Sequence, residues 1–365
     1  MRNVLGNNLT VTLFGESHGE KIGAVVDGLS AGILVDEEYI KLMLSKRRPN
    51  GLTDTARVET DEFSIVSGVF NGKTTGAPLC ILIDNKNVRS ADYSEKLGLA
   101  RPSHADYTAH VKYGGFEDYR GGGHFSGRIT APLVAVGAII TSALNQIGVK
   151  IGTHILSCAG VLDRSFSDIS SDIESLKSLE FPLLNQEVSG DVINAILSAK
   201  QKGDSVGGTT QTAIVGLPVG LGEPWFDSVE SSISRAVFSI GGIKGIEFGL
   251  GFSFADKRAS EVNDSLVKVD GKVVTLTNNN GGINGGITNG MPVIFNCAVK
   301  PTPSISIKQQ TYNFITDKNE ELQIKGRHDP AIIRRICPVL DAVSAIVVAD
   351  LLVTKYGTDC LLKGF

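Results

Sequence analysis

The sequence predicts an α+β fold in one integrated body spanning residues 1–365. Three observations carry this. Strand-like and helix-like segments interleave along the whole chain. No Pro/Ser-rich linker, low-complexity tract or fixed-period repeat divides it. The residues suited to chemistry are scattered from residue 15 to residue 335, so one site has to be assembled from distant segments. Length alone would allow two domains, but that scatter favours a single one. At 42% hydrophobic and 20% charged, the chain has apolar material for a large core.

The elements follow in order. Leu9-Thr-Val-Thr-Leu-Phe14 alternates as a strand does. Asp36-Glu-Glu opens a helix that ends with Lys46-Arg47-Arg48 before Pro49. Residues 57–83 read as a hairpin with Asn71-Gly72 as a type I′ turn, and Asp270-Gly271 marks a second one. From Asn85 to Phe125 the chain is polar with few signs of regular structure. Ile129 to Ile147 is an almost continuous small and apolar run, read as a buried helix. Further helices are expected near Asp191–Lys202 and from Asp227, whose pairing with Glu230 resembles a capping box. A long apolar helix is expected from Asp329-Pro330, as N-cap and N1, toward Tyr356, with a kink at Pro338.

Several function classes fall away. A net charge of −4 and 6% aromatic residues do not suit a nucleic-acid binder. Five scattered cysteines without a CxxC pair argue against a disulfide framework or a cysteine zinc site, and for a reducing, cytoplasmic setting. Residues 1–10 lack a signal-peptide core, and with the 129–147 run read as a buried helix no membrane span is expected.

The chemistry-bearing residues cluster by type. His18, His104, His124 and His328 sit beside Gly, Ser, Arg or Asp in loop-like sequence. Arginines accompany them: Arg101 near His104, Arg120 and Arg128 around Gly121-Gly-Gly-His124, Arg327 next to His328, and Arg47-Arg48 in a further region. A guanidinium matches carboxylate and phosphate oxygens. Arginines, histidines and glycine backbone together describe a site for a small polyanion. Gly121–Gly127 runs into the buried helix, a context for phosphate binding, though it matches no nucleotide fingerprint. Gly281–Gly290 has five glycines in ten residues and reads equally well as a tight double turn. A metal site built on His104, Asp106 and His110, or on Glu16 and His18, has the wrong spacing, so no metal is expected.

Gly15-Glu-Ser-His-Gly19, Arg47-Arg-Pro49, Arg101-Pro-Ser-His-Ala-Asp-Tyr-Thr108, Asp118-Tyr-Arg-Gly-Gly-Gly123, Gly281-Gly-Ile-Asn-Gly-Gly286, Lys300-Pro-Thr302 and Gly326-Arg-His-Asp-Pro330 together resemble chorismate synthases. The resemblance spans nearly the whole chain in the family's order. It implies a β-α-β sandwich, a homotetramer and a reduced FMN cofactor, with NADPH as a reductant in some members. It also implies conversion of 5-enolpyruvylshikimate 3-phosphate to chorismate and phosphate by a 1,4-anti elimination, within aromatic amino acid biosynthesis.

The resemblance also assigns residues. Arg47, Arg48, Arg101, Arg128 and Arg327 match the substrate region. His18 matches the histidine that protonates the departing phosphate, and His104 the one beside the reduced flavin. Asp329 matches the carboxylate near flavin N5, and Ser17 and Ser126 match proton-relay hydroxyls. FMN contacts carry over to His124, Phe125, Ser126, Gly241, Gly242, Gly285, Lys300, Pro301, Thr302, Pro303, Ser304 and Arg327. Arg47 also matches a nicotinamide-cofactor position. Relatives commonly have Arg-Ser-Ser at 124–126, Asn-Ala at 241–242 and an arginine near Thr53, so these contacts differ here. A flavin oxidoreductase using NADPH and a non-catalytic anion-binding protein are the competing readings.

Overall fold

The computed structural model describes residues 3–55, 60–86, 98–324 and 328–365. Strands β1 (Val4–Leu5), β2 (Thr10–Gly15) and β3 (Lys21–Asp27) lead into α1 (Glu37–Arg47). Next come β4 (Phe63–Ser67), the ribbon β5 (Val69–Phe70) and β6 (Lys73–Thr74), and β7 (Leu79–Asp84). Five of these strands form an antiparallel sheet ordered β1-β2-β3-β7-β4. After α2 (Asp106–Tyr113) and α3 (Thr130–Gln146), the chain forms β8 (Lys150–Cys158), β9 (Val161–Leu162), α4 (Ile169–Leu176) and α5 (Ser189–Gln201). It continues with β10 (Gly208–Val215), α6 (Val229–Val237), β11 (Ile243–Phe248) and α7 (Ala259–Val262). Two short hairpins follow, β12 (Leu266–Val269) with β13 (Lys272–Thr275) and β14 (Ile283–Asn284) with β15 (Ile287–Thr288). Then come β16 (Val293–Val299), the hairpin β17 (Gln309–Asn313) and β18 (Lys318–Leu322), α8 (Ile333–Tyr356) and α9 (Cys360–Lys363). The second five-stranded sheet is ordered β11-β16-β10-β8-β9.

Helices fill the layer between the sheets. α3 packs on β3 and β7, α8 packs on β8 and β10, and the two helices pack on each other. Both are apolar almost all round, as a helix covered on several sides must be. They approach closely at Gly137, where a Cβ would stand 2.3 Å from that of Ala342. The architecture is therefore a β-α-β sandwich of α+β class. α8 also reaches the first sheet: the Asp350 carboxylate accepts hydrogen bonds from the backbone N–H of Asn7 (2.9 Å), Asn8 (2.8 Å) and Leu9 (2.9 Å).

Local signals explain several boundaries. Asp36 caps α1 by accepting from the Tyr39 amide, and Pro49 follows its end. Asn71 and Gly72 both have positive φ in the β5–β6 turn, as do Asp270 and Gly271 between β12 and β13. Within 57–83 the longer strands β4 and β7 pair directly, and residues 57–59 lie outside the described ones.

Three expectations change. The polar 85–125 stretch contains α2, which ends at left-handed Gly114. Asp227 does not cap α6; Ser228 does, through the amide of Ser231. The last long helix begins at Ile333, without a side-chain cap, and runs through Pro338 as one helix. Asp329 is drawn away by other partners, described below.

Asp341 on α8 lines a cavity of about 340 Å³ together with Tyr39, Lys46 and Cys337. Its described hydrogen bond is from the Thr153 hydroxyl, 2.6 Å away. Burial pushes the carboxyl up to about 7. A value raised above that of the unfolded chain (about 3.9) favours the fold below about pH 4. That contribution is lost as pH rises to about 7. Asp341→Asn is therefore expected to match the wild type near pH 4 and to exceed it increasingly in thermal stability up to pH 8. The gain should be about 2 kcal/mol, since the full rise is worth ~4 kcal/mol and the carboxyl partly meets the cavity. A melting difference independent of pH would refute the burial argument.

Candidate functional site

The site begins where β2 ends. Glu16–Gly19 turns tightly, with the Gly19 amide donating to the Glu16 carbonyl. The side-chain amide of Asn85, just past β7, donates to the carbonyls of Glu16 (3.0 Å) and Gly19 (2.9 Å). Ser17 and His18 are both buried. The Ser17 hydroxyl stands 3.1 Å from His18 Nδ1 and within reach of the Arg120 and Gly121 carbonyls.

Those carbonyls belong to the glycine loop. Gly121, Gly122 and Gly123 all take positive φ, a path that L side chains resist. A Cβ on Gly121 would fall 2.1 Å from His18 Cε1, and one on Gly122 would fall 3.3 Å from His104 Cε1. Two imidazoles thus flank consecutive glycines. The loop does not present a bare row of amides ahead of α3. The N–H groups of Gly122, Ser126, Arg128 and Ile129 all bond within residues 119–126. The Ser126 hydroxyl accepts from Arg128, and His124 Nδ1 donates to the Gly15 carbonyl at 2.8 Å. Phe125 is exposed.

His104 is held from the other side. The Asp106 carboxylate accepts from its Nδ1 (2.7 Å) and from Nε (2.8 Å) and Nη2 (2.7 Å) of Arg101. Burial alone would raise the Asp106 carboxyl. The bonds from Arg101 and His104 outweigh it and hold the group well below the usual carboxylate range.

The other arginines are organised chiefly by two carboxylates, Asp61, which no motif announced, and Asp329. Arg47 is only 1% exposed, and its guanidinium donates to Asp61 at 2.9 Å. Arg128 bonds the other oxygen of Asp61 and also the Asn85 side chain. Burial opposes the Asp61 charge, but the two guanidiniums lower its carboxyl nonetheless. Arg48 donates to the Thr60 carbonyl. Asp329 accepts from the Thr55 amide (3.0 Å) and from Arg335 Nη1 (2.6 Å), while Arg335 Nε donates to the Arg47 carbonyl. Asp329 is thereby linked to the Arg335 side chain and, through it, to Arg47, rather than capping the backbone amides of α8. Arg327 lies outside the described residues.

A third segment closes on His104. The Lys300 amine donates to the Ser103 carbonyl at 2.7 Å, and its backbone amide donates to the Gly242 carbonyl at 2.9 Å. Burial and the nearby Lys244 push the Lys300 amine down. Thr302 is anchored by the Ser205 hydroxyl. Gly241, Gly242 and the Lys300–Ser304 segment therefore share one end of the second sheet with His104. Pro301 is exposed there, while Pro303 and Ser304 are half-buried. Gly285 is not brought to this cluster. It turns the β14–β15 hairpin, which packs near Ser228 and the opposite end of β16.

Sequence reasoning passed over Asp61 and Asn85, met Arg335 only as a charge near the start of the last helix, and met Asp106 within a motif and as a rejected metal ligand, without a role of its own. Among the described residues no group of three or more His, Cys, Asp or Glu stands together to hold a metal ion.

Comparison with known proteins is consistent across methods. A family profile described as chorismate synthase matches residues 9–353. A chorismate synthase of Pyrococcus abyssi is 44% identical over 346 residues, covering 94% of this chain and 96% of the relative. One of Dehalococcoides mccartyi is 43% identical over 354 residues, covering 96% of each chain. A crystal structure of chorismate synthase superposes with a TM-score of 0.77 at 30% identity, covering 97% of this chain and 94% of the other.

Proposed function

The chain belongs to the chorismate synthase family and carries that family's activity, and we propose that the His18–His104 cluster is where it acts. The reaction removes phosphate from 5-enolpyruvylshikimate 3-phosphate to leave chorismate, a carbon–oxygen lyase reaction. The observation that carries the assignment is that His18, Gly121, Gly122, His104, Arg101 and Lys300, drawn from distant segments, meet in one place.

The residues present suit reduced FMN. At Gly121 and Gly122 a Cβ would crowd the two imidazoles, so bare backbone is needed beside them. Nothing lies within 4 Å of a Cβ on Gly241, which leaves open space next to Lys300. His104, Lys300, Gly241, Gly242 and the 302–304 segment would hold the isoalloxazine and its phosphate tail, with His124, Phe125 and Ser126 at the glycine-loop side. When bound, the reduced ring supplies electron density that is returned at the end of the cycle.

The protein's own groups do the rest. His18 donates a proton to the phosphate oxygen as the C3–O bond breaks, and Ser17, beside its Nδ1, keeps the ring oriented. Arg101 offers donors to the anionic groups, and its largely shielded position strengthens such contacts. Arg47 and Arg128 both bond Asp61, so they act as a pair joined by one carboxylate, with Arg128 assigned to the anion-binding region and Arg47 holding Arg335 through its carbonyl. Asp329 takes up the C6 proton, with Ser126 as a relay hydroxyl. Arg48 is assigned to the anion-binding region, as is Arg327 by its motif alone.

Arg47 and Thr53 are both buried, which supports the reading that flavin is reduced elsewhere and taken up. Anaerobic assays with dithionite-reduced FMN are expected to release many phosphates per flavin. Oxidised FMN with NADPH is expected to release none above background. At most one phosphate per flavin would instead mark a consumed reductant, and turnover with NADPH would place a reductase in this chain.

The same reading makes the protein a cytoplasmic homotetramer. Gly285, at the far end of β16, would then meet a flavin held by a neighbouring copy. The exposed side chains of Trp225, Phe226 and Phe252 supply apolar surface for such contacts.

A further inference from the structure

We propose that Asp106 is a positioning residue that fixes the ring and the tautomer of His104; this rests on the placement of His104 in the active site. The carboxylate has four partners. Oδ2 accepts from the Arg101 amide (2.9 Å) and Nε (2.8 Å), and Oδ1 accepts from Arg101 Nη2 (2.7 Å) and His104 Nδ1 (2.7 Å). The Asp106 and His104 side chains are each 19% exposed and that of Arg101 is 22% exposed, so the trio is largely shielded. The His104 amide also donates to the Arg101 carbonyl, which closes the loop that carries the ring.

An ionised carboxylate only accepts hydrogen bonds. The fork of Arg101 holds Asp106 ionised, so the hydrogen between Asp106 and His104 must sit on Nδ1. A neutral His104 then has one tautomer, with an unprotonated Nε2. That edge faces the glycine loop: Nε2 lies 3.7 Å and Cε1 3.3 Å from where a Cβ on Gly122 would be. Asp106 thus performs two tasks. It aligns the substrate-facing guanidinium of Arg101, and it decides whether His104 presents an acceptor or a donor at its open edge. The position of Asp106 as first residue of α2 does not require this carboxylate, because its oxygens turn back to residues 101 and 104 rather than to the helix amides.

The test is Asp106→Asn, with His104→Ala and the double variant. The amide keeps an acceptor for Arg101 and places an N–H₂ near Nδ1, which drives the proton to Nε2. Nitrogen-15 NMR of the imidazoles is expected to show His104 protonated on Nδ1 in the wild type and on Nε2 in Asp106→Asn. Turnover with reduced FMN is expected to fall about 10–100-fold, with a smaller rise in KM, because Arg101 Nη2 loses its acceptor on Oδ1, and with little change in melting temperature. Adding Asp106→Asn to His104→Ala is expected to cost less than Asp106→Asn costs alone, only the share that runs through Arg101 remaining. Unchanged tautomer and turnover in Asp106→Asn, with His104→Ala impaired, would overturn this inference alone. A fall in turnover that tracks lost stability without a tautomer change would also overturn it. Full activity of His104→Ala would overturn the active-site assignment itself.

Discussion

His18→Ala is expected to lower turnover by ~10²–10⁴-fold, the usual worth of a general acid, while substrate affinity changes little. The imidazole is buried, sits against the Ser17 hydroxyl, and lies beside the backbone of Gly121. It is not one of the arginine forks that grip anions. A phosphate leaving without a proton from this group departs as a poorer leaving group, so the loss falls on the chemical step. Steady-state kinetics under anaerobic conditions with reduced FMN separate kcat from KM. Wild-type kcat with a raised KM would make His18 a binding residue and remove the proposed acid.

Gly121→Ala is expected to be nearly as damaging although it adds a single methyl group. Two terms combine. A non-glycine residue at φ +60° costs roughly 1–2 kcal/mol. The new Cβ would also stand 2.1 Å from His18 Cε1 and 2.9 Å from Ser17 Oγ, so the ring has to leave its place. Turnover should fall ~10²-fold or more, toward the His18→Ala level, with a small loss of melting temperature. Gly127→Ala is the control, because its Cβ meets nothing within 4 Å and it carries no positive φ. A fully active Gly121→Ala variant would show that His18 tolerates displacement and is not the proton donor.

Much of the fold was legible because its signals are local. The Asp36 cap, the Pro49 stop, the Asp270-Gly271 turn and the apolar run of α3 each depend on neighbours a few residues away. The start of α8 was misread for the opposite reason. Asp329-Pro330 has the composition of a helix start, but Thr55 and Arg335 engage the carboxylate, and the helix opens at Ile333. At α6, Asp227 and Ser228 are both competent caps, and composition does not choose between adjacent ones. The candidate site divides the same way. Histidines, arginines and glycines that line it stood out by type. Asp61 did not, because a lone acidic residue has no pattern; its partners lie 14 and 67 positions away in sequence. Asn85 is equally silent in sequence, although it ties the Glu16–Gly19 turn to Arg128.

The Asp350 contact bears on how the protein is made. The amide of Leu9 waits for a carboxylate 341 residues further along, and the apolar face of α3 waits for α8. On a ribosome the first sheet and α3 therefore emerge long before the helix that completes their shared layer. Until then a long apolar surface is open to other nascent chains. The finished enzyme acts on a small metabolite, yet during synthesis this surface has to stay covered until α8 arrives. Substitutions at Asp350 should therefore reduce the yield of soluble protein more than the specific activity of what survives.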